Sequence, residues 1–229
     1  MLSALEAVLQ GQQFVSSGSS VHSFSNGEAQ ASNRPCQEEA LSSPTPRLRK
    51  TTGSHAVQFH SDEASLLAGF TSFIEANLRA GHAVIVVATE SHRTSLLQKL
   101  QADGVDVAAA IEQGIYIPLD VVEALSTFTV NGLPDPVRFS KVAGELFGAA
   151  AKAVKAEHPC VAACGEGTSS LWAQGKSDAA VQLEHLWGEI AEKYGVDVLC
   201  GYVMKSLQRE HESDVYARIC AEHSTVLSQ

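Results

Sequence analysis

Glu166 stands in the segment of this sequence that is best suited to chemistry. The segment Gly165-Glu166-Gly167-Thr168 follows an apolar run at 160–164 (CVAAC), which has the composition of a buried strand. Ligand sites of α/β proteins form where strands end, and glycines permit unusual backbone angles and close approach of a ligand. Glu166 could therefore accept a hydrogen bond from a ligand or act as a general base. The alternative is a loop carboxylate that points into water.

A second segment, Gly175-Lys176-Ser177, has the last three residues of a phosphate-binding loop. That motif also needs a glycine five positions before Gly175, and position 170 is Ser. The turn at 60–63 (HSDE) offers two carboxylates where a phosphate needs amides and a lysine. We therefore expect no nucleotide to bind at Gly175-Lys176-Ser177.

The cysteines do not have the spacing of a typical zinc site. Cys160 and Cys164 are four positions apart, Cys220 and His223 are three apart, and neither pair forms Cys-x2-Cys. Cysteine is among the residues most often buried without a metal. Core packing is therefore favoured for Cys160, Cys164 and Cys200, and we expect no bound metal or cofactor. The remaining arrangement is a two-histidine, one-carboxylate site from His55, His60 and Glu166, which depends on tertiary geometry.

The charge distribution argues against nucleic acid as a partner. The formal net charge is -10, and residues 1–50 contain four basic and four acidic residues. The negative excess therefore lies in residues 51–229, and an acidic domain repels phosphate backbones. No apolar run reaches the roughly 18–20 residues that a membrane span needs, so we expect no membrane association. Five cysteines and no visible signal peptide favour a cytoplasmic protein with free thiols.

The composition divides the chain near residue 50. Ten of the first fifty residues are Ser, and large apolar residues are sparse after Leu9. Such a segment cannot bury enough apolar surface to offset the entropy of ordering it. We therefore predict a disordered tail at 1–50 and one folded domain at 51–229.

Strands and helices are predicted to alternate along the domain. Apolar runs predict strands, and apolar residues with a period near 3.6 predict helices. The region at 121–136 has no clear period and is predicted to be irregular. This alternation predicts a three-layer α/β fold, with a mainly parallel sheet between helices on both faces. The predicted strands are 57–59, 83–88, 115–119, 160–164 and 196–202, and the predicted helices are 62–80 (with Ser61 as N-cap), 91–103, 137–158, 178–194 and 207–224.

The domain resembles a known family over most of its length. The run from 55 to 224 is similar to the MEDS domain, a sensory domain of methanogens and methylotrophs that also occurs beside bacterial histidine kinases and in a transcriptional repressor. The matching segments include HAVQF at 55–59, AVIVVAT at 83–89, PDPVRF at 134–139, Gly165-Glu166 with LWAQG at 171–175, LEHLW at 183–187, LCGY at 199–202 and ICAEHS at 219–224.

The resemblance implies a non-catalytic domain of a bacterial or archaeal signalling system. Its fold would be RecA/KaiC-like without a phosphate-binding loop, and its ligand a small molecule such as a one-carbon or hydrocarbon derivative. A histidine kinase or a transcriptional regulator would be its partner. His60, Gly167 and Val203 stand where the family usually has Tyr, Met and Pro, so the ligand could differ from that of other members.

We expect a ligand site at the carboxyl edge of the sheet, because polar and aromatic residues follow several predicted strands. His60 or His92 is the expected partner of Glu166, and His55 is included mainly because of the resemblance. Two other functions stay open: a remnant nucleotide-binding or hydrolytic enzyme that uses Glu166, and an interaction module without a ligand. The predicted site residues are His55, Phe59, His60, Glu90, His92, Glu166, Trp172 and Tyr202.

Overall fold

A six-stranded parallel sheet forms the centre of the domain in the computed structural model, which describes residues 53–155, 159–204 and 212–228. The strand order is β3-β2-β6-β7-β1-β8, and a separate antiparallel hairpin is formed by β4 and β5. The strands are β1 (His55–His60), β2 (Ala83–Ala88), β3 (Tyr116–Asp120), β4 (Thr129–Val130), β5 (Leu133–Pro134), β6 (Val161–Gly165), β7 (Asp197–Val203) and β8 (Thr225–Ser228).

Helices cover both faces of the sheet, which confirms the predicted three-layer α/β fold. Helices α1 to α3 contribute apolar side chains to one core, and α4 to α8 contribute to a second core on the opposite face. The helices are α1 (Glu63–Arg79), α2 (Glu90–Ala102), α3 (Val107–Glu112), α4 (Val121–Phe128), α5 (Pro136–Ala153), α6 (Gly167–Ala173), α7 (Ser177–Tyr194) and α8 (Glu212–Ala221).

Strand β2 shows how the sequence specifies the central layer. Its six residues AVIVVA form a continuous apolar run, as expected for a strand buried on both faces. Because successive side chains point to opposite faces, Ala83 and Ile85 enter the core beneath α4 to α8. Val84 and Val86 enter the core beneath α1 to α3.

Neither of the two turns considered in the sequence has the shape of a phosphate-binding loop. Only Ser61 and Asp62 separate β1 from α1, and Asp62 is the N-cap, with its side chain accepting from the Ser65 amide at 2.8 Å. The predicted N-cap Ser61 is therefore wrong by one residue. Gly175-Lys176-Ser177 joins helix α6 to helix α7 rather than a strand to a helix.

Three further sequence predictions of local structure are wrong, and Cys160, which was expected in the core, is exposed. The region at 121–136 contains α4 and the β4–β5 hairpin, since Asp120 accepts from the amides of Val122 and Glu123 and caps α4. The Gly165–Thr168 segment, which was interpreted as a turn or loop, instead contains the end of β6 and the start of helix α6 at Gly167. The helix predicted at 207–224 ends at Ala221, and 225–228 form strand β8, which pairs with β1.

The predicted tail at 1–50 lies outside the described residues. Within those residues, no helix is both long enough and apolar enough to cross a membrane.

Candidate functional site

The chain changes direction between β2 and β6, which are neighbours in the sheet with Val87 opposite Gly165. After β2 the chain enters α2 on one face of the sheet, and after β6 it enters α6 on the other face. Connections that leave adjacent parallel strands in this way open a crevice at their carboxyl ends. We call this feature the switch-point crevice.

Glu166 and His92 form an ion pair in the switch-point crevice. The Glu166 carboxylate accepts a hydrogen bond from the Thr89 amide at 2.6 Å, and its other oxygen lies 2.8 Å from His92 Nδ1. The Glu166 amide donates to the Val87 carbonyl at 3.1 Å, which fixes the start of α6 against the end of β2. The His92 side chain retains 13% exposure and the Glu166 side chain 9%.

Each partner of this pair shifts the pKa of the other. Burial alone would raise the pKa of Glu166, but hydrogen bonds from His92 and Thr89 outweigh it and lower that pKa. The hydrogen bond to Glu166 raises the pKa of His92 despite burial, and the nearby Glu63 carboxylate adds to this effect. The charged form of the pair is therefore favoured in weak acid.

The crevice has a volume of about 280 Å³ and a mixed wall. Hydroxyl groups and carboxylates from three segments face it, together with a few apolar side chains. Its size is near the lower end of the range for small-molecule sites, roughly 300–1,000 Å³. The lining residues are Glu63, Leu66, Thr89, Ser91, His92, Glu166, Ser169, Ser170, Ala173 and Val203.

The two glycines beside Glu166 differ in how much space a larger side chain would have. A Cβ on Gly165 would lie 2.6 Å from the Val87 carbonyl oxygen, which is backbone and cannot move aside easily. A Cβ on Gly167 would meet nothing closer than 3.8 Å. Only Gly165 is required by the close approach of two chain segments.

Three predicted site residues form an aromatic cluster inside the core rather than a wall of the crevice. The rings of Phe59 and Tyr202 are 5.4 Å apart, and those of Trp172 and Tyr202 are 5.8 Å apart. All three side chains are buried, and the Tyr202 hydroxyl donates to the Glu184 carboxylate. These three residues lie close together, but other residues line the crevice.

The last three predicted residues are separated from each other. His60 is fully buried next to Gly69 of α1, where burial lowers its pKa, and it does not contact Glu166 through a hydrogen bond or ion pair in the described structure. Glu90 is exposed at the start of α2 and does not line the crevice. His55 joins Glu184 instead of His60 and Glu166, so the two-histidine, one-carboxylate arrangement considered in the sequence does not form.

Sequence reasoning missed Thr89 and Glu184. Thr89 directly follows the AVIVVA strand and caps α2, a position that strand-end reasoning could have identified. Glu184 is four positions after Ala180 and seven before Ala191, both of which are buried on α7. A carboxylate at an apolar-stripe position of a helix is the signal that could have found it.

A separate cavity of about 50 Å³ lies between the sheet and helices α4 to α7. Its wall is almost entirely apolar, and the polar exceptions are the Thr168 hydroxyl and the thiols of Cys164 and Cys200. None of the eight predicted site residues lines it.

Solved structures from Pyrococcus horikoshii have a similar fold. The protein PH0250 from strain OT3 superposes with a TM-score of 0.50 at 9% identity, covering 77% of this chain and 82% of its own. The uncharacterized protein PH0321, solved in complex with an unknown peptide, gives a TM-score of 0.52 at 12% identity and covers 77% of each chain. At such identities the likeness concerns the fold alone. No curated protein matches the sequence.

The fold is that of a three-layer α/β domain with a crevice at the carboxyl ends of β2 and β6. A family model described as "MEDS: MEthanogen/methylotroph, DcmR Sensory domain" matches residues 54–223. The chain therefore belongs to the MEDS family of sensory domains, as the sequence motifs indicated.

Proposed function

We propose that this domain senses a small molecule that binds in the switch-point crevice, with the His92–Glu166 pair as its recognition group. The observation that carries the proposal is the convergence of this pair with Thr89, Ser169 and Ser170 at the carboxyl edge of the sheet. Sites of this kind occur repeatedly at switch points of parallel sheets.

The chemistry of the wall indicates which ligands would fit. Glu63 and Glu166 contribute two carboxylates, and His92 contributes at most one positive charge. Such a wall disfavours phosphates and other anions, which would meet like charge. A small neutral or cationic molecule that donates hydrogen bonds would instead find acceptors on the carboxylates and hydroxyls.

We propose that the domain binds its ligand without catalysing a reaction. Both oxygens of Glu166 are engaged, one by the Thr89 amide and one by His92, so the carboxylate is placed to recognise rather than to take up a proton. Incubation with Mg²⁺ and ATP should release no phosphate above the level of a buffer blank. Turnover that Glu166→Gln abolishes would instead support an enzyme.

Amide chemical shifts of the full ¹⁵N-labelled chain test the site. Titration with a panel of small alcohols, amides and amines should shift Thr89, His92 and Ser169 for at least one compound. Glu166→Gln should remove that response, whereas Glu90→Gln, which changes an exposed carboxylate outside the crevice, should keep it. Shifts that map elsewhere, or that survive Glu166→Gln, would overturn the assignment.

The cavity beneath α4 to α7 favours a second ligand class, a one-carbon or small hydrocarbon derivative. Its volume and apolar wall suit a molecule with few polar atoms. Xenon and dichloromethane are suitable probes, and they should shift methyl signals of Leu125 and Leu183 if the cavity takes such molecules. Ala163→Val would fill part of the cavity, and Ala108→Val on the exposed side of α3 makes the same chemical change elsewhere. An equal response in both variants would exclude the cavity.

We also propose that a separate kinase or transcriptional regulator receives the signal. Exposed apolar side chains at Val122, Leu133 and Val137 on α4, β5 and α5 are candidates for such a contact. Cross-linking of the full chain to a purified candidate kinase, with and without ligand, would test whether this region takes part.

A further inference from the structure

Four ligating side chains meet in the core on the α7 side of the sheet. They are His55 from β1, Cys200 from β7, Glu184 from α7 and His223, which follows α8, and we call them the buried polar cluster. Each residue offers one ligating atom, and these four atoms all lie within 4.8 Å of one another. No second group of this kind occurs among residues 53–155, 159–204 and 212–228. The side chains of Glu184 and His223 are completely buried, and His55 and Cys200 retain 4% exposure each.

Three of the six separations between these atoms are close to those around a tetrahedral zinc ion. Glu184 Oε2 lies 3.2 Å from Nε2 of His55 and 3.2 Å from Nε2 of His223. Cys200 Sγ lies 3.5 Å from His55 Nε2. Tetrahedral bonds of about 2.0 Å to N and O and about 2.3 Å to S place neighbouring N and O atoms about 3.3 Å apart, and neighbouring N and S atoms about 3.5 Å apart.

Both histidine rings are oriented as metal ligands usually are. His55 Nδ1 lies 3.1 Å from the Glu222 carbonyl, and His223 Nδ1 lies 2.7 Å from the Ile219 carbonyl. A carbonyl only accepts, so each Nδ1 carries the proton, and in the neutral ring Nε2 keeps a lone pair. Backbone carbonyls fix the tautomer of metal-binding histidines in the same way.

In a network made of protein groups alone, two buried atoms of the cluster have no well-formed hydrogen bond. Glu184 Oε2 and His223 Nε2 make no hydrogen bond of acceptable geometry, although they lie 3.2 Å apart. The centroids of the two imidazole rings are only 3.9 Å apart, so both rings converge on the same point in the core. A cation at the common centre would satisfy all of these atoms at once.

We propose that His55, Glu184, Cys200 and His223 bind a zinc ion. Two imidazole nitrogens, one carboxylate oxygen and one thiolate form a donor set that suits a tetrahedral, borderline-soft cation. The Tyr202 hydroxyl donates to the other oxygen of Glu184 and would orient the carboxylate. The ion would tie the segment after α8 to β1 and α7. This proposal is independent of the ligand in the switch-point crevice, and it departs from the sequence expectation of no metal.

Metal analysis of the full chain tests the proposal directly. The protein is expressed with zinc in the medium and purified without a chelator or a metal-affinity step, and mass spectrometry should find about one zinc ion per chain. After removal of zinc with dipicolinate, Co²⁺ should give visible ligand-field bands and a thiolate-to-cobalt charge-transfer band. The proposal would be overturned if wild-type protein, shown to be folded by circular dichroism, contained no zinc and gave no cobalt bands. This outcome would be decisive whatever the results for the variants.

Matched variants assign the ligands. Cys200→Ser should remove the charge-transfer band, whereas Cys164→Ser, which changes another buried thiol outside the cluster, should keep it. Tyr202→Phe keeps all four ligands and should weaken zinc binding by roughly 10–100-fold. A band that survives Cys200→Ser and disappears in Cys164→Ser would place the thiolate ligand elsewhere and overturn the assignment.

Discussion

The switch-point crevice and the buried polar cluster use the same residue types with opposite outcomes. In the crevice, both oxygens of Glu166 are satisfied, and its side chain and that of His92 stay partly exposed. In the cluster, Glu184 is fully buried, and one of its oxygens has two histidine nitrogens nearby without a proper hydrogen bond. The Glu166–His92 pair has its hydrogen bonds and some exposure, whereas Glu184 is fully buried and one of its oxygens has no hydrogen bond, and the two proposals made above rest on this difference.

Removal of one carboxylate from each region should give the largest contrast in stability. Glu184→Gln should lower the free energy of unfolding by about 3–5 kcal/mol, because it breaks a buried charged network. Glu166→Gln should cost about 1–3 kcal/mol, the range for hydrogen bonds to a charged group. Urea denaturation of both variants measures the difference. Equal losses would mean that the two sites are energetically alike, contrary to their difference in burial.

Gly165→Ala should disturb the crevice while leaving the cluster intact. The new Cβ would lie 2.6 Å from the Val87 carbonyl oxygen, which also accepts from the Glu166 amide, so β2 and β6 must separate. We expect a loss of about 1–3 kcal/mol, as for overpacking elsewhere, together with a shift of the His92 ring signals.

Gly167→Ala is the matched control, since its Cβ would meet nothing within 3.8 Å. Its effect should stay within about 0.5 kcal/mol of wild type or be slightly stabilising, because Ala favours a helix over Gly. A larger loss for Gly167→Ala than for Gly165→Ala would contradict the packing seen at the ends of β2 and β6.

The pH dependence of the crevice follows from the directions of the two pKa shifts. The pKa of His92 is raised from 6.5, so its contribution to stability is complete below that value and is lost as the pH rises through the folded pKa. The pKa of Glu166 is lowered from 4.5, so its contribution is present above that value and is lost in stronger acid. The pair should therefore stabilise the domain most between about pH 4.5 and 6.5.

An NMR titration of the His92 ring checks this expectation. The His92 pKa should be above 6.5 in the wild type, and Glu166→Gln should lower it. Burial lowers the His92 pKa, and without the Glu166 carboxylate only Glu63 still raises it. The difference in stability between wild type and Glu166→Gln should also shrink above neutral pH. A His92 pKa that Glu166→Gln leaves unchanged would show that the ion pair does not control this titration.

Lys176→Ala should have the smallest effect. Lys176 is exposed, its amino group donates to Gln174 Oε1 at 2.9 Å, and it lies in a turn between two helices without lining the crevice or joining the cluster. The free energy of unfolding should change by no more than about 0.5 kcal/mol. Micromolar ATP binding by wild type that this substitution abolishes would contradict the absence of a phosphate-binding loop.

The sequence alone determined the layered architecture. The run AVIVVA predicted β2 at its observed bounds, and the apolar period of Ser177–Tyr194 predicted α7 to within one residue, because both signals are local and strong. The family was also recognisable from short motifs spread over the domain. Weak local signals failed: α4 has only eight residues and depends on a cap from Asp120, and β8 needs β1 as a pairing partner.

Only the tertiary structure decided which chemical groups meet. The sequence placed Glu166 at the end of a strand and offered His60 or His92 as its partner, but the face on which each side chain lies depends on strand register and helix position. His60 faces α1, whereas His92 reaches Glu166. Glu184 and His223 are 39 positions apart, and both lie more than 120 positions after His55, so no spacing in the sequence indicates their contact. Long-range packing brings them together, because α7 and the segment after α8 cover the same part of the sheet.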